Sequence, residues 1–169
     1  MKKILATVAL AALALSSTPA AAASPSAQAN ATAKIFKPLQ ISKATDLDFG
    51  TIVLIGAAFA GETVTVATDS SVTCGSGGGN LTCSGAPTAA KFHLVGTNNA
   101  MVTVNSPSFN LGGPSTLAVT PTSTTQSVSL GATGLTTGVD VFLGGSITLA
   151  SSTPDGVYTG IWTVTADYQ

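Results

Sequence analysis

The chain is predicted to be an all-β protein, an antiparallel β-sandwich, and three observations carry that expectation. Past residue 23, Thr, Val, Ser and Gly dominate, in short runs that alternate apolar with polar residues. Clusters of Gly, Pro, Asn and Asp divide the runs every 8–12 residues or so, the spacing of a sandwich of many short strands. Nowhere in that stretch do apolar residues recur at i, i+3, i+4 and i+7 over three turns, so no amphipathic helix is expected. Charge is scarce. Charged residues make up 8% of the 169, against about 25% in ordinary soluble domains. The six basic residues are all Lys and form no patch, which argues against a nucleic-acid partner. A hydrophobic content of 44% argues against a disordered chain.

The N-terminus is read first, because it does not belong to the fold. Met1-Lys2-Lys3 is positive, Ile4 to Leu15 is apolar, and Ser16 to Pro19 breaks the run before the small-residue tract Ala20 to Ala23. That order predicts a secretory signal peptide over residues 1–23, cleaved after Ala23, with a second suitable site after Ala29. The apolar run is shorter than the roughly 20 residues of a membrane span, so no span is expected once the signal is removed. Cleavage after Ala23 leaves 146 residues with a net charge of −3. One exported domain is expected, periplasmic in transit and then at the cell surface or outside the cell.

Thr63 to Ala67 and Met101 to Val104 read as strands. Val139 to Leu143 and Ser146 to Leu149 flank Gly144-Gly145, where a bulge or bend is expected. Pro114 to Ser127 is rich in Ser, Thr and Pro, as in a mucin-like stalk, but Leu117 and Val119 favour a strand with a mobile loop. Cys74 and Cys83 are the two cysteines, and an isolated pair in an exported domain predicts a disulfide. Gly75 to Thr82 would then be a flexible tip letting two strands turn back on each other. Closing a loop this short contributes about 2.5–3 kcal/mol in the chain-entropy picture. A metal or redox site would need more ligands or a C-x-x-C spacing. Gly75-Ser76-Gly77-Gly78-Gly79 lacks the Lys-Ser/Thr ending and following helix of a phosphate loop.

Nothing selects a catalytic site, and no enzyme, cofactor or metal is expected. His93, the single histidine, lies in the alternating run Lys91 to Val95 and reads as a solvent-facing strand residue. No G-x-S-x-G elbow accompanies it, and Asp69, the nearest acid in sequence, is far off. Asp46, Asp48, Glu62, Asp69, Asp140, Asp155 and Asp167 are scattered singly, mostly at turns and strand ends where such side chains suit the backbone. No pair stands out for glycoside hydrolysis, and Asp46-Leu47-Asp48 is too small a cluster for a calcium loop. Asn30-Ala31-Thr32 and Asn80-Leu81-Thr82 match the N-glycosylation pattern, which chance supplies often.

The C-terminus is more informative. From Gly156 to Gln169 the even positions read Gly156, Tyr158, Gly160, Trp162, Val164, Ala166 and Tyr168, while the odd ones turn polar after Ile161. A period-2 strand with a core face and a wet face is predicted to the last residue. An aromatic next to last implies that something holds a terminus that would otherwise fray.

Here the sequence resembles a family. Subunits of chaperone–usher pili end in a strand with a Gly fourteen residues from the end and an aromatic next to last, the places of Gly156 and Tyr168. Pro38-Leu39-Gln40-Ile41, Leu47 to Ile52, Ala89 to Phe92, Val141 to Gly145 and Gly156 to Gly160 also resemble the bacterial pilin-like domain of unknown function 4402. Spore-coat-like pilins are more distantly similar; they carry a cysteine in the first strand, whereas none precedes Cys74 here.

The resemblance implies an immunoglobulin-like, Greek-key sandwich over residues 37–169 that lacks one strand and leaves an open apolar groove. It implies a fimbrial subunit whose groove is filled first by a periplasmic chaperone and then by the extension of another subunit, by β-strand addition. Residues 24–36 are either that donor extension or the protein's own first strand. As a donor, Ala29, Ala31, Ala33 and Ile35 share one face, and Asn30, Thr32 and Lys34 the other. The alternative function is a self-contained secreted sandwich that binds a glycan or surface protein through loops, with Phe59, Phe109 and Phe142 away from the expected core strands.

Overall fold

The computed structural model describes residues 24–169; the expected signal peptide, residues 1–23, lies outside them. The chain divides into two units, Met1–Lys34 and Ile35–Gln169. Within the first, residues 24–34 carry no secondary structure and all are exposed. The first strand of the fold begins at Gln40, so none of residues 24–36 belongs to a strand.

The second unit is all β, and no helix occurs among the described residues. Its strands are β1 (Gln40–Thr45), β2 (Thr51–Leu54), β3 (Glu62–Val66), β4 (Val72–Cys74), β5 (Leu81–Ser84), β6 (Ala90–Val95) and β7 (Met101–Asn105). There follow β8 (Phe109–Gly112), β9 (Thr116–Pro121), β10 (Thr125–Ser129), β11 (Val139–Leu143), β12 (Gly145–Leu149) and β13 (Thr165–Tyr168). They form four sheets, in the orders β1-β6-β11, β10-β7-β13, β4-β3-β12-β9-β8 and β2-β5. Every pairing is antiparallel.

The alternation read from the sequence decides which face is buried. In β3, β9 and β12 every second residue is buried, which sends Val64, Val66, Leu117, Val119, Ile147 and Leu149 into one core cluster. Thr63 and Thr148, directly opposite each other, face outward with hydroxyls 3.2 Å apart. A second cluster joins Phe92, Leu94, Val102, Val104, Val141 and Leu143, and Leu47 packs against both.

The bend expected at Gly144-Gly145 is where the chain changes sheets. β11 pairs with β6, whereas β12, beginning at Gly145, lies between β3 and β9. At Gly144 a Cβ would collide with the Val66 carbonyl oxygen, so the residue must be glycine for the backbones to approach. The Pro114–Ser127 tract supplies β9 and most of β10.

Two expectations need correcting. Cys74 and Cys83 are bonded, with Cα atoms 5.9 Å apart, but their strands do not turn back on each other as a hairpin. β4 is the edge of the five-stranded sheet and β5 pairs with β2, so the disulfide staples two sheets together. The expected C-terminal strand keeps its alternation, with Trp162, Val164, Ala166 and Tyr168 half-buried and the residues between them exposed. Its ladder, however, covers only Thr165–Tyr168; residues 157–164 carry one bridge, Gly112 to Thr159. They form the edge of an opening.

Candidate functional site

That opening is an apolar groove of about 1060 Å³. Its floor includes Phe92, Leu117, Ile147 and Leu149 from the two core clusters. One lip is β2, which pairs with β5 along one edge and has no ladder on the other. The opposite lip is the stretch 153–162, backed by β8. Thr159 and Gly112 exchange backbone hydrogen bonds of 2.7 and 2.9 Å. The Tyr158 hydroxyl donates to the Pro154 carbonyl at 2.7 Å and lies 3.0 Å from Ser115 Oγ. Trp162 Nε1 donates to the Pro107 carbonyl at 2.9 Å, and its ring stacks on Phe109 and meets Phe92 edge-on. Of the motif residues read from the sequence, Gly156, Tyr158 and Trp162 therefore line the groove, while Val164 and Tyr168 lie further along the same strand run.

Tyr168 explains how the chain end is held. Its ring stacks on Phe36 with centroids 4.5 Å apart. The hydroxyl donates to the Lys37 carbonyl and accepts from the Thr97 backbone N–H, both at 2.8 Å. Gln169 adds hydrogen bonds from Nε2 to Thr103 Oγ1 and Ser127 Oγ. Tyr168 is nevertheless only half-buried, because its hydroxyl reaches the chain that enters β1 rather than the core.

Register brings together charged groups that sequence distance concealed. Asp140 lies opposite His93 across β11 and β6, and accepts from Lys91 Nζ at 2.6 Å while lying 2.7 Å from His93 Nδ1. The Lys91 hydrogen bond first, and the His93 contact second, hold the Asp140 carboxyl below its ordinary range. Ser42 stands opposite His93 on the other side, in β1, so Ser, His and Asp share one row. The imidazole leans toward β11, where its Nε2 packs against Gly138, and not toward Ser42.

Two other acids serve local backbone, and Asp46 pairs with Lys43 Nζ at 2.7 Å. Asp48 accepts from the Gly50 N–H, and Asp69 from Ser71 N–H and Oγ. Glu62 is the buried acid, with a role that sequence reading missed. It is buried and grips the glycine-rich loop, accepting from Ser76 N–H, Ser76 Oγ and Asn80 Nδ2. The Ser76 hydroxyl is the largest cause that lowers its pKa, and burial opposes it. The expected free tip is thus tethered, and the Asn80 side chain of the second glycosylation pattern is engaged. The signal was a lone Glu opening an alternating apolar run. Phe59 and Phe109 are half-buried, whereas Phe142 is 44% exposed with Lys91 Nζ 5.6 Å from its ring centre. Among the described residues no cluster of three His, Cys, Asp or Glu could hold a metal ion.

The fold and groove together define an all-β chain with a disulfide, a bond characteristic of compartments outside the cytoplasm. No helix among the described residues is long and apolar enough to cross a membrane. The chain belongs to the family described as Domain of unknown function (DUF4402), whose profile matches residues 39–168. No curated protein and no solved structure matches it.

Proposed function

We propose that this protein is an exported structural subunit of a fimbrial, pilus-like assembly, built by β-strand complementation. The groove carries the reading: two lips with unpaired edges face each other across an apolar floor, the arrangement that an added strand completes. The pilin-like C-terminal pattern and the disulfide support it, as does the resemblance to an immunoglobulin-like sandwich one strand short. In this reading a periplasmic chaperone fills the groove first and another subunit replaces it. The candidate donor is Ala29 to Ile35, whose residues up to Lys34 are exposed and outside any strand, with Ala29, Ala31, Ala33 and Ile35 turned inward. No catalytic, cofactor or metal role enters.

A synthetic peptide of residues 24–36 added to the exported chain tests the reading. Binding and a raised melting temperature are expected. Changing Ile35 to Asp in the peptide should abolish both, since an unpaired carboxylate would enter an apolar pocket. A chain that is a stable monomer, is indifferent to the peptide, and unfolds when residues 24–35 are deleted would overturn it. The exposed Phe142 would then favour the second reading, a self-contained sandwich that binds a glycan or surface protein.

A further inference from the structure

We infer that Glu62 is a positioning residue for the groove: through Asn80 it ties the β2 lip to the sheet that supplies the floor. What the lip receives rests on the strand-complementation reading; how the lip is held does not.

β2 and β5 are four residues each and pair with each other in a sheet of their own. A two-stranded ribbon is marginal by itself. From β2, Ile52 and Leu54 pack against the core, while Val53 is 49% exposed. The floor residues Ile147 and Leu149 belong to β12, and Glu62 stands opposite Leu149 at the start of β3. From that sheet the Glu62 carboxylate reaches the loop leading into β5. Its Oε2 accepts from Ser76 N–H at 2.6 Å and its Oε1 from Asn80 Nδ2 at 2.8 Å.

Asn80 passes the tie on to the lip. Its carbonyl accepts from the N–H groups of Ile55 and Gly56, at 2.8 and 3.2 Å, just past the end of β2. A Cβ at Gly56 would collide with Asn80 Oδ1, so both ends of that side-chain amide are engaged. Burying a carboxylate is costly unless donors surround it, and a charged acceptor makes the stronger hydrogen bonds. The disulfide is a second tie, at Cys83, opposite Ile52 in the middle of the ribbon. Two separated ties hold the tilt of a short ribbon better than one.

The test compares the exported chain with its Glu62→Gln and Asn80→Ala variants under conditions where each is folded. Gln offers one acceptor oxygen where the carboxylate offers two. Asn80→Ala leaves Glu62 in place with its Ser76 donors, so the test does not depend on a variant that alters a buried charge. Two quantities are read: amide exchange at Ile55 and Gly56 relative to Ile147 in β12, and the concentration of the 24–36 peptide for half-saturation. Both variants should speed exchange at Ile55 and Gly56 and leave Ile147 protected. Peptide affinity should fall by about twofold to thirtyfold. Exchange raised equally at all three amides, with affinity unchanged, would make Glu62 a contributor to global stability alone and overturn the inference. Unaltered exchange at Ile55 and Gly56 would overturn it too, as would faster exchange there with unaltered affinity. A wild-type chain that ignores the peptide would overturn the strand reading, and the exchange comparison would then still decide whether Glu62 holds the lip.

Discussion

Tyr168 shows how one hydroxyl can hold a chain end. Tyr168→Phe keeps the stack on Phe36 and removes the group that serves both Thr97 N–H and the Lys37 carbonyl. The expected cost is about 1–3 kcal/mol in urea unfolding. Tyr168→Ala should cost more, yet fall short of the 3–5 kcal/mol or so of a fully buried aromatic, because half-burial leaves less to lose. That the residue is held was legible in the sequence; its partners, 71 and 131 residues away, were not. Glu62 gives a pH prediction. Its folded pKa lies below the ordinary 4.5, so its stabilising effect is complete above that value and is lost as pH falls through the lower folded value. Wild type should exceed Glu62→Gln in stability at pH 7, and the gap should close in acid. Urea midpoints across pH 2–7 check this, and a constant gap would refute it.

At the scale of elements, period-2 alternation located the strands but not their partners. Thr63 to Ala67 and Met101 to Val104 were read from their own residues, and β3 and β7 lie there. A disulfide was likewise legible from two cysteines, whereas its bridging of two sheets depends on pairings that no local pattern encodes. The glycine-rich loop looked free because Glu62, 14 residues from Ser76, was invisible as its partner. Reducing the disulfide should lower stability by about 2.5–3 kcal/mol, as thermal melts with and without reductant would show. Leu143→Ala, at a residue 1% exposed where β11 packs into the core, should cost about 2–5 kcal/mol in chemical unfolding.

For the whole molecule, the central claim is that the groove is an unfilled strand position. Alternation marked the C-terminal run as strand, and the apolar pattern was correct there. What the pattern could not tell is that residues 157–164 lack a full ladder, because an unpaired edge and a paired one have the same side chains. Amide hydrogen exchange at the two lips reads those edges directly. Without peptide, amides of Thr51 to Ile55 and Val157 to Trp162 that face the opening should exchange fast, and adding the 24–36 peptide should protect amides on both lips together. Lips already protected in the lone monomer, or unaltered by saturating peptide, would contradict strand complementation.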